Sequence, residues 1–94
     1  MTYKLRFHTL ALAEWQTLDG SIKAPLKKKL AERLESPLVP ADALSGMSNC
    51  YKIKLKRIGF RLVYLVENDV VTVTVIAVGK RDKSAVYSTA KTRL

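Results

Sequence analysis

From residue 51 to residue 56 apolar and cationic side chains alternate without a break: Tyr51, Ile53 and Leu55 against Lys52, Lys54 and Lys56. A repeat of two residues is that of a β-strand, whose successive side chains point to opposite faces. The segment is therefore read as a strand with an apolar face toward a core and three cations on the other side. Three like charges two residues apart repel. The fold gains nothing from the row unless an anion is bound there or the lysines guard a sheet edge against aggregation.

The flanking residues extend this reading. Arg57, Ile58 and Gly59 form a short turn, so the next strand returns antiparallel. It carries Phe60, Leu62, Tyr64 and Val66 on one side and Arg61, Val63 and Leu65 on the other. Asn68 and Asp69 make a second turn. Residues 70–78 are a nearly unbroken β-branched run, as expected of a central strand covered on both faces. Gly79 ends it, and Ser84 can cap a short C-terminal helix with Val86 and Ala90 on one face.

Toward the N-terminus, Tyr3, Leu5 and Phe7 alternate with Lys4, Arg6 and His8, a further strand with one buried face. Thr9 is the expected N-cap of a helix over residues 10–18, with Ala11, Trp15 and Leu18 on one face, ended by Asp19 and Gly20. Ile22, Leu26, Leu30 and Leu34 form the apolar stripe of a second helix, with Lys23, Lys27, Lys28 and Arg33 mostly outside it. Pro25 belongs in a first turn, so this helix is expected to start near Ser21 or slightly later, and Ser36 and Pro37 stop it. Residues 38–49 read as a loop anchored at Ala43 and Leu44. The predicted class is α+β, in the order β-α-α-β-β-β-α. A mostly antiparallel sheet of about four strands packs against the two N-terminal helices. The opposite sheet face is left free for the lysines.

Length, charge and cysteine content narrow the function. Ninety-four residues suit one domain, 1–94. No apolar run is long enough to span a bilayer and no secretory signal is visible. Cys50 is the only cysteine, which fits a cytoplasmic protein. Seventeen Lys and Arg against eight Asp and Glu give a net charge of +9. Such a chain attracts polyanions, nucleic acid first and anionic membranes second; the alternative is a solvated charged surface. Residues 51–83 alone hold eight basic and three acidic side chains, a local +5. Edge protection would account for the lysines, but it does not call for Arg61 or the pair Lys80 and Arg81.

Cleaving RNA with such a patch requires four things: a base for the 2'-hydroxyl, in-line attack, stabilisation of phosphorane charge, and a proton for the departing 5'-oxygen. Arginine matches phosphate geometry. A lysine among other cations has a lowered pKa and can serve as a base. Tyrosine can exchange a proton or stack on a nucleobase. One His and one Cys cannot make a metal ligand set or a two-histidine nuclease, and nothing resembles a phosphate-binding glycine loop. No cofactor is therefore called for. His8 reads as a surface or capping residue, Cys50 as a packed small side chain and Trp15 as core. Lys27, Lys28 and Lys29 are a solvated helix face or, more sharply, a phosphate contact.

Several stretches in fixed order carry a resemblance over essentially the whole chain. They include Glu14-Trp15, Leu26-Lys27-Lys28-Lys29-Leu30, Leu34-Glu35-Ser36-Pro37 and Gly46-Met47. More telling are Cys50-Tyr51-Lys52-Ile53-Lys54-Leu55, Phe60-Arg61-Leu62-Val63-Tyr64, and Val78-Gly79-Lys80-Arg81 followed by Val86-Tyr87. In these the chain resembles the RelE family, the ribosome-dependent ribonuclease toxins of type II toxin–antitoxin systems. The resemblance implies a fold like that of small microbial ribonucleases and metal-independent cleavage of mRNA in the ribosomal A site. It implies catalytic roles for Lys52, Lys54, Arg61, Arg81 and Tyr87. Lys54 would be base or proton relay, with Tyr87 orienting or stacking the nucleotide. Arg61 would hold the phosphate. Arg81 would stabilise the transition state or help protonate the leaving oxygen, and Lys52 would assist electrostatically. Lys27, Lys28, Lys29, Lys56, Lys80 and Lys83 are the expected contacts to mRNA and ribosomal RNA. Ser45 stands where the family commonly has a basic residue, which removes a possible RNA contact. The resemblance further implies a RelB-like antitoxin that wraps the toxin, displaces Tyr87 with the C-terminal helix, and contacts operator DNA in a repressor complex. Two other classes remain beside this one: a non-catalytic RNA- or ribosome-binding module, and a subunit whose main role is protein interaction in that complex.

Overall fold

In the computed structural model, which describes residues 2–80 and 85–94, the alternating segments become one mixed sheet. The order is β1 (Lys4–Phe7), α1 (Thr9–Gln16), α2 (Gly20–Glu35), β2 (Cys50–Leu55), β3 (Phe60–Glu67), β4 (Thr72–Lys80) and α3 (Ala85–Thr92), with short 3-10 turns at Pro40–Asp42 and Asn68–Val70. The sheet runs β1-β4-β3-β2. The last three strands form the expected antiparallel meander, and β1 adds to β4 in parallel. The α+β class and the element order stand as expected.

Each meander turn has a local cause. Gly59, at φ 79°, lets its N–H return to the Leu55 carbonyl at 2.7 Å and closes the β2–β3 connection. The β3–β4 connection ends less comfortably. Val71 stands at φ 49°, left-handed backbone that a β-branched residue resists. Its N–H donates to the Asn68 carbonyl and its own carbonyl accepts from Lys4, so the conformation is held from both sides. Val71→Asn, which tolerates this region, is expected to raise stability by about 1 kcal/mol. Thermal denaturation reads that as a midpoint increase of about 4 to 8 °C.

Two apolar clusters sandwich the sheet. On one face α1 and α2 bury Ala11, Leu26 and Leu30 against Ile53, Leu55, Leu62, Tyr64, Val66, Val73, Val75 and Val78, with Trp15, Ile22 and Leu34 at the margin. The stripe Ile22, Leu26, Leu30, Leu34 thus faces the core as its spacing predicts. On the other face Met47, Cys50, Val63, Ile76 and Ala77 lie under Val86 and Ala90 of α3. That face is therefore not left bare for the lysines. The C-terminal helix covers its middle, because Val63, Leu65 and Ile76 are too apolar to face water. Cationic side chains keep only one end of it.

Smaller differences follow from capping. His8, not Thr9, caps α1: its Nδ1 accepts from the Leu10 N–H at 3.2 Å. Asp19 and Gly20 do not merely end α1. The Asp19 carboxylate accepts from the Ser21 N–H, so α2 begins at Gly20 and Pro25 sits in its second turn. In β1, Leu5 remains 41% exposed, because no element covers that edge fully. Among the described residues no helix is long and apolar enough to cross a membrane.

Candidate active site

The strand register decides which cations meet. Lys54 pairs with Arg61 across β2 and β3, and Arg61 pairs with Gly79 across β3 and β4. Directly opposed residues share a face and hold their Cβ atoms about 5 Å apart. Lys54 and Arg61 therefore stand side by side at the end of the sheet left uncovered. Lys52, two residues along β2, lies opposite Val63 on the same face, at the margin of the apolar cluster under α3.

Gly79 completes the row by carrying no side chain. A Cβ there would lie 3.9 Å from the Val86 Cβ and Cγ2, so Val86 rests directly above it. Tyr87 follows Val86 and is swung toward β3. The Arg61 Nη1 donates to the Tyr87 Oη at 2.9 Å, and the guanidinium carbon lies 5.4 Å from the centre of the Tyr87 ring. One hydrogen bond and one cation–π contact thus bring a phenol from the C-terminal helix onto a cation from the central meander.

Electrostatics follow from this crowding. The ion pairs among the described residues are Arg33–Asp42 and Arg93–Glu14, and none of the described carboxylates pairs with Lys52, Lys54, Lys56 or Arg61. The Lys52 charge beside it holds the Lys54 amine below the ordinary lysine range, and Arg61 and Lys56 add to the effect. An amine with a depressed pKa loses its proton at a lower pH than a free lysine does. If Lys54 is the base, Lys52→Ala removes the leading cause and raises that pKa. The ascending limb of the cleavage rate against pH is then expected to move to higher pH, with activity lost at neutrality and partly regained in alkaline buffer. A pH–rate profile of both proteins checks this.

Not every cation expected in the site joins it. Lys80 pairs with Phe60, which belongs to the face covered by α1 and α2, so it leaves the sheet on the side away from Arg61. Lys27, Lys28 and Lys29 are exposed along α2. Of these, Lys29 lines a groove of about 430 Å³ together with Lys54, Lys56 and Arg57. Lys27 instead borders an apolar groove with Leu5, Phe7 and Trp15. Ser45 is exposed in the loop before β2. Arg81, Lys83 and the proposed cap Ser84 lie outside the described residues.

A buried network that sequence reasoning did not single out supports β2 from below. Arg33 leaves the sheet-facing side of α2 with only 16% of its side chain exposed, and its Nη1 donates to the Tyr64 Oη at 2.9 Å and to the Lys52 carbonyl at 3.2 Å. The same guanidinium pairs with Asp42. Tyr64, fully buried, donates to the Pro37 carbonyl at 2.7 Å. The backbone at Lys52 is thereby fixed from the helix side while its ammonium faces the site. The spacing of Arg33, seven residues after Leu26 and three after Leu30 on the buried face, was the available hint. Cys50 is buried, and burial pushes its thiol up, as suits a packed residue.

Comparison with known proteins agrees with this architecture. The family described as ParE toxin of type II toxin-antitoxin system, parDE, matches residues 5–85. The chain is 52% identical over 94 residues to the mRNA interferase toxin RelE of Escherichia coli (strain K12), spanning 100% of this chain and 99% of that protein. Among solved structures, a mutant of E. coli toxin RelE in the free state superposes with a TM-score of 0.91 at 51% identity, covering 100% of this chain and 99% of that one. A chain of the intact E. coli RelBE toxin-antitoxin complex superposes with a TM-score of 0.83 at 51% identity, over 86% of this chain and 99% of that one. The profile match and the end-to-end identity, together with a shared fold, establish that this chain belongs to the RelE/ParE family of type II toxin–antitoxin toxins.

Proposed function

We propose that the chain is an endoribonuclease toxin that cleaves mRNA in the ribosomal A site and is neutralised by a RelB-like antitoxin. The observation that carries the reading is the convergence of Lys54, Arg61 and Tyr87, from two strands and a helix, on one uncovered end of the sheet. The mRNA interferase name of the half-identical relative points the same way.

In the proposed step the 2'-hydroxyl attacks the adjacent phosphorus. A bond from the 2'-oxygen to phosphorus forms and the bond to the 5'-oxygen breaks, leaving a cyclic phosphate and a 5'-hydroxyl. Lys54, with its depressed pKa, takes the 2'-hydroxyl proton. Arg61 holds the non-bridging oxygens as charge builds on them. Tyr87, held by Arg61, orients the nucleotide through its ring or its hydroxyl. Lys52 adds positive potential. Arg81 follows β4 by one residue and is assigned transition-state stabilisation or help in protonating the leaving oxygen. Lys27, Lys28, Lys29, Lys56, Lys80 and Lys83 supply the sequence-independent attraction to mRNA and ribosomal RNA. A site with no strong acid/base pair suits an enzyme whose substrate is presented in place by the ribosome.

The deciding experiment adds the purified protein to ribosomes carrying a defined mRNA, maps cut sites, and uses free RNA as the control. Cuts confined to the A-site codon of ribosome-bound mRNA are expected. Binding to ribosomes without cuts would make the chain a basic binding module. Neither binding nor inhibition of translation would leave only a protein-interaction role. Mixing with a cognate antitoxin is expected to abolish cleavage.

A further inference from the structure

Strand β4 outruns its neighbour. Its pairing with β1 covers residues 72–75 only, and the chain turns away at His8. Beyond that point the edge of β4 would present unpaired backbone groups. Two side chains take the place of the missing strand. The Val78 N–H donates to the Glu14 Oε1 at 3.2 Å, and the Ile76 carbonyl accepts from the Arg93 Nη1 at 2.9 Å. These two side chains also grip each other fork to fork, Nη1 to Oε1 and Nη2 to Oε2, both at 2.9 Å. Only 11% of the Arg93 side chain is exposed.

Arg93 is thereby a fastening for α3, which needs one. A helix of eight residues does not persist by itself. Its buried side chains are Val86 and Ala90, and a cavity of about 250 Å³ opens beside Val86, between Glu14, Val78 and Gly79. Val86, Ala90 and Arg93 are spaced i, i+4, i+7 and share the face turned to the sheet. The first turn is thus seated through Val86 at the margin of that cavity, while the end of the helix is held by three charge-assisted hydrogen bonds from Arg93. Tyr87 lies six residues before Arg93, about 9 Å along the helix axis. Its hydroxyl meets Arg61 with α3 seated in this way.

We propose that Arg93, clasped by Glu14, is a positioning residue for Tyr87: the pair pins the end of α3 into the open edge of β4 and so sets the phenol against Arg61. The proposal rests on the ribonuclease reading of the site.

The test is a double-mutant cycle on single-turnover cleavage of ribosome-bound mRNA. Arg93→Ala is expected to slow the chemical step by about 10- to 100-fold with little change in apparent ribosome affinity. In a Tyr87→Ala background the same substitution is expected to cost much less, because the ring and the hydroxyl it positions are both already gone. Arg93→Lys is expected to restore part of the rate. Glu14→Gln, which preserves the shape of the side chain, reads the same coupling should Arg93→Ala unfold. Equal slowing in both backgrounds would overturn the proposal and make the pair merely structural. Amide hydrogen exchange of the free protein separates this failure from failure of the ribonuclease reading. Residues 88–92 are expected to exchange faster in Arg93→Ala whether or not any RNA is cut. Unchanged exchange there overturns the fastening itself.

Discussion

Arg61→Ala is expected to lower single-turnover cleavage of ribosome-bound mRNA by about 100- to 1000-fold, the cost of removing one preorganised donor from a developing oxyanion. Arg61 has three connections that no other described cation combines. It stands opposite Lys54 on the same face. It donates to Tyr87 at 2.9 Å. It has no carboxylate partner among the described residues. Its removal therefore deletes the proposed phosphate ligand and frees the Tyr87 phenol together. Arg61→Lys keeps the charge but not the planar fork, and is expected to fall between alanine and wild type. Arg61 is partly exposed, and alanine leaves no buried polar group stranded, so the thermal midpoint is expected to change little. A large rate loss beside an unchanged melting curve is the signature to look for. An unaffected rate would remove Arg61 from the mechanism.

Tyr64→Ala is expected to destabilise the protein by about 3–5 kcal/mol, the range for truncating a large buried aromatic side chain. Tyr64 is the largest fully buried side chain, stacked on Tyr51 with ring centroids 5.7 Å apart. Its hydroxyl accepts from Arg33 and donates to the Pro37 carbonyl. Tyr64→Phe keeps the ring and removes only the oxygen, leaving that carbonyl and one guanidinium donor short of a partner. A loss of about 1–3 kcal/mol is expected for it. Domains of this size have net stabilities of about 5–15 kcal/mol, so alanine would consume a large share. Urea titration of the three proteins resolves both steps. If phenylalanine costs as much as alanine, the hydroxyl network rather than the ring holds this part of the core.

Much of the fold was legible because the hydrophobic periods are clean. The alternation at residues 51–56 placed Lys52 and Lys54 on one face and that at 60–66 put Arg61 on the neighbouring strand; the sheet keeps the lysines there and its register sets Arg61 opposite Lys54. The four-residue stripe of α2 likewise faces the core. The last strand starts two residues later than its β-branched run, at Thr72, and continues through Gly79 to Lys80; the helix boundaries that moved are those where short-range capping competes with spacing. His8 displaces Thr9 as the cap of α1, and Asp19 opens α2 a turn ahead of Pro25. The opposite sheet face was misread as free because the spacing that showed the Val86 and Ala90 face of the C-terminal helix does not say what that face packs against, and its partners lie on other elements.

The sequence by itself determined the class, the element order, the shared strand face of Lys52 and Lys54, and the family, since each depends on residue type and spacing along the chain. Only the tertiary structure decided which cations meet. Register across β2, β3 and β4 joins Lys54 to Arg61 and turns Lys80 to the other face. The packing of α3 on this end of the sheet, with Val86 over Gly79, brings Tyr87 to Arg61. The early end of β1 creates the open edge that Glu14 and Arg93 fill. These are contacts between residues far apart in the chain, set by strand pairing and close packing, and no local period encodes them.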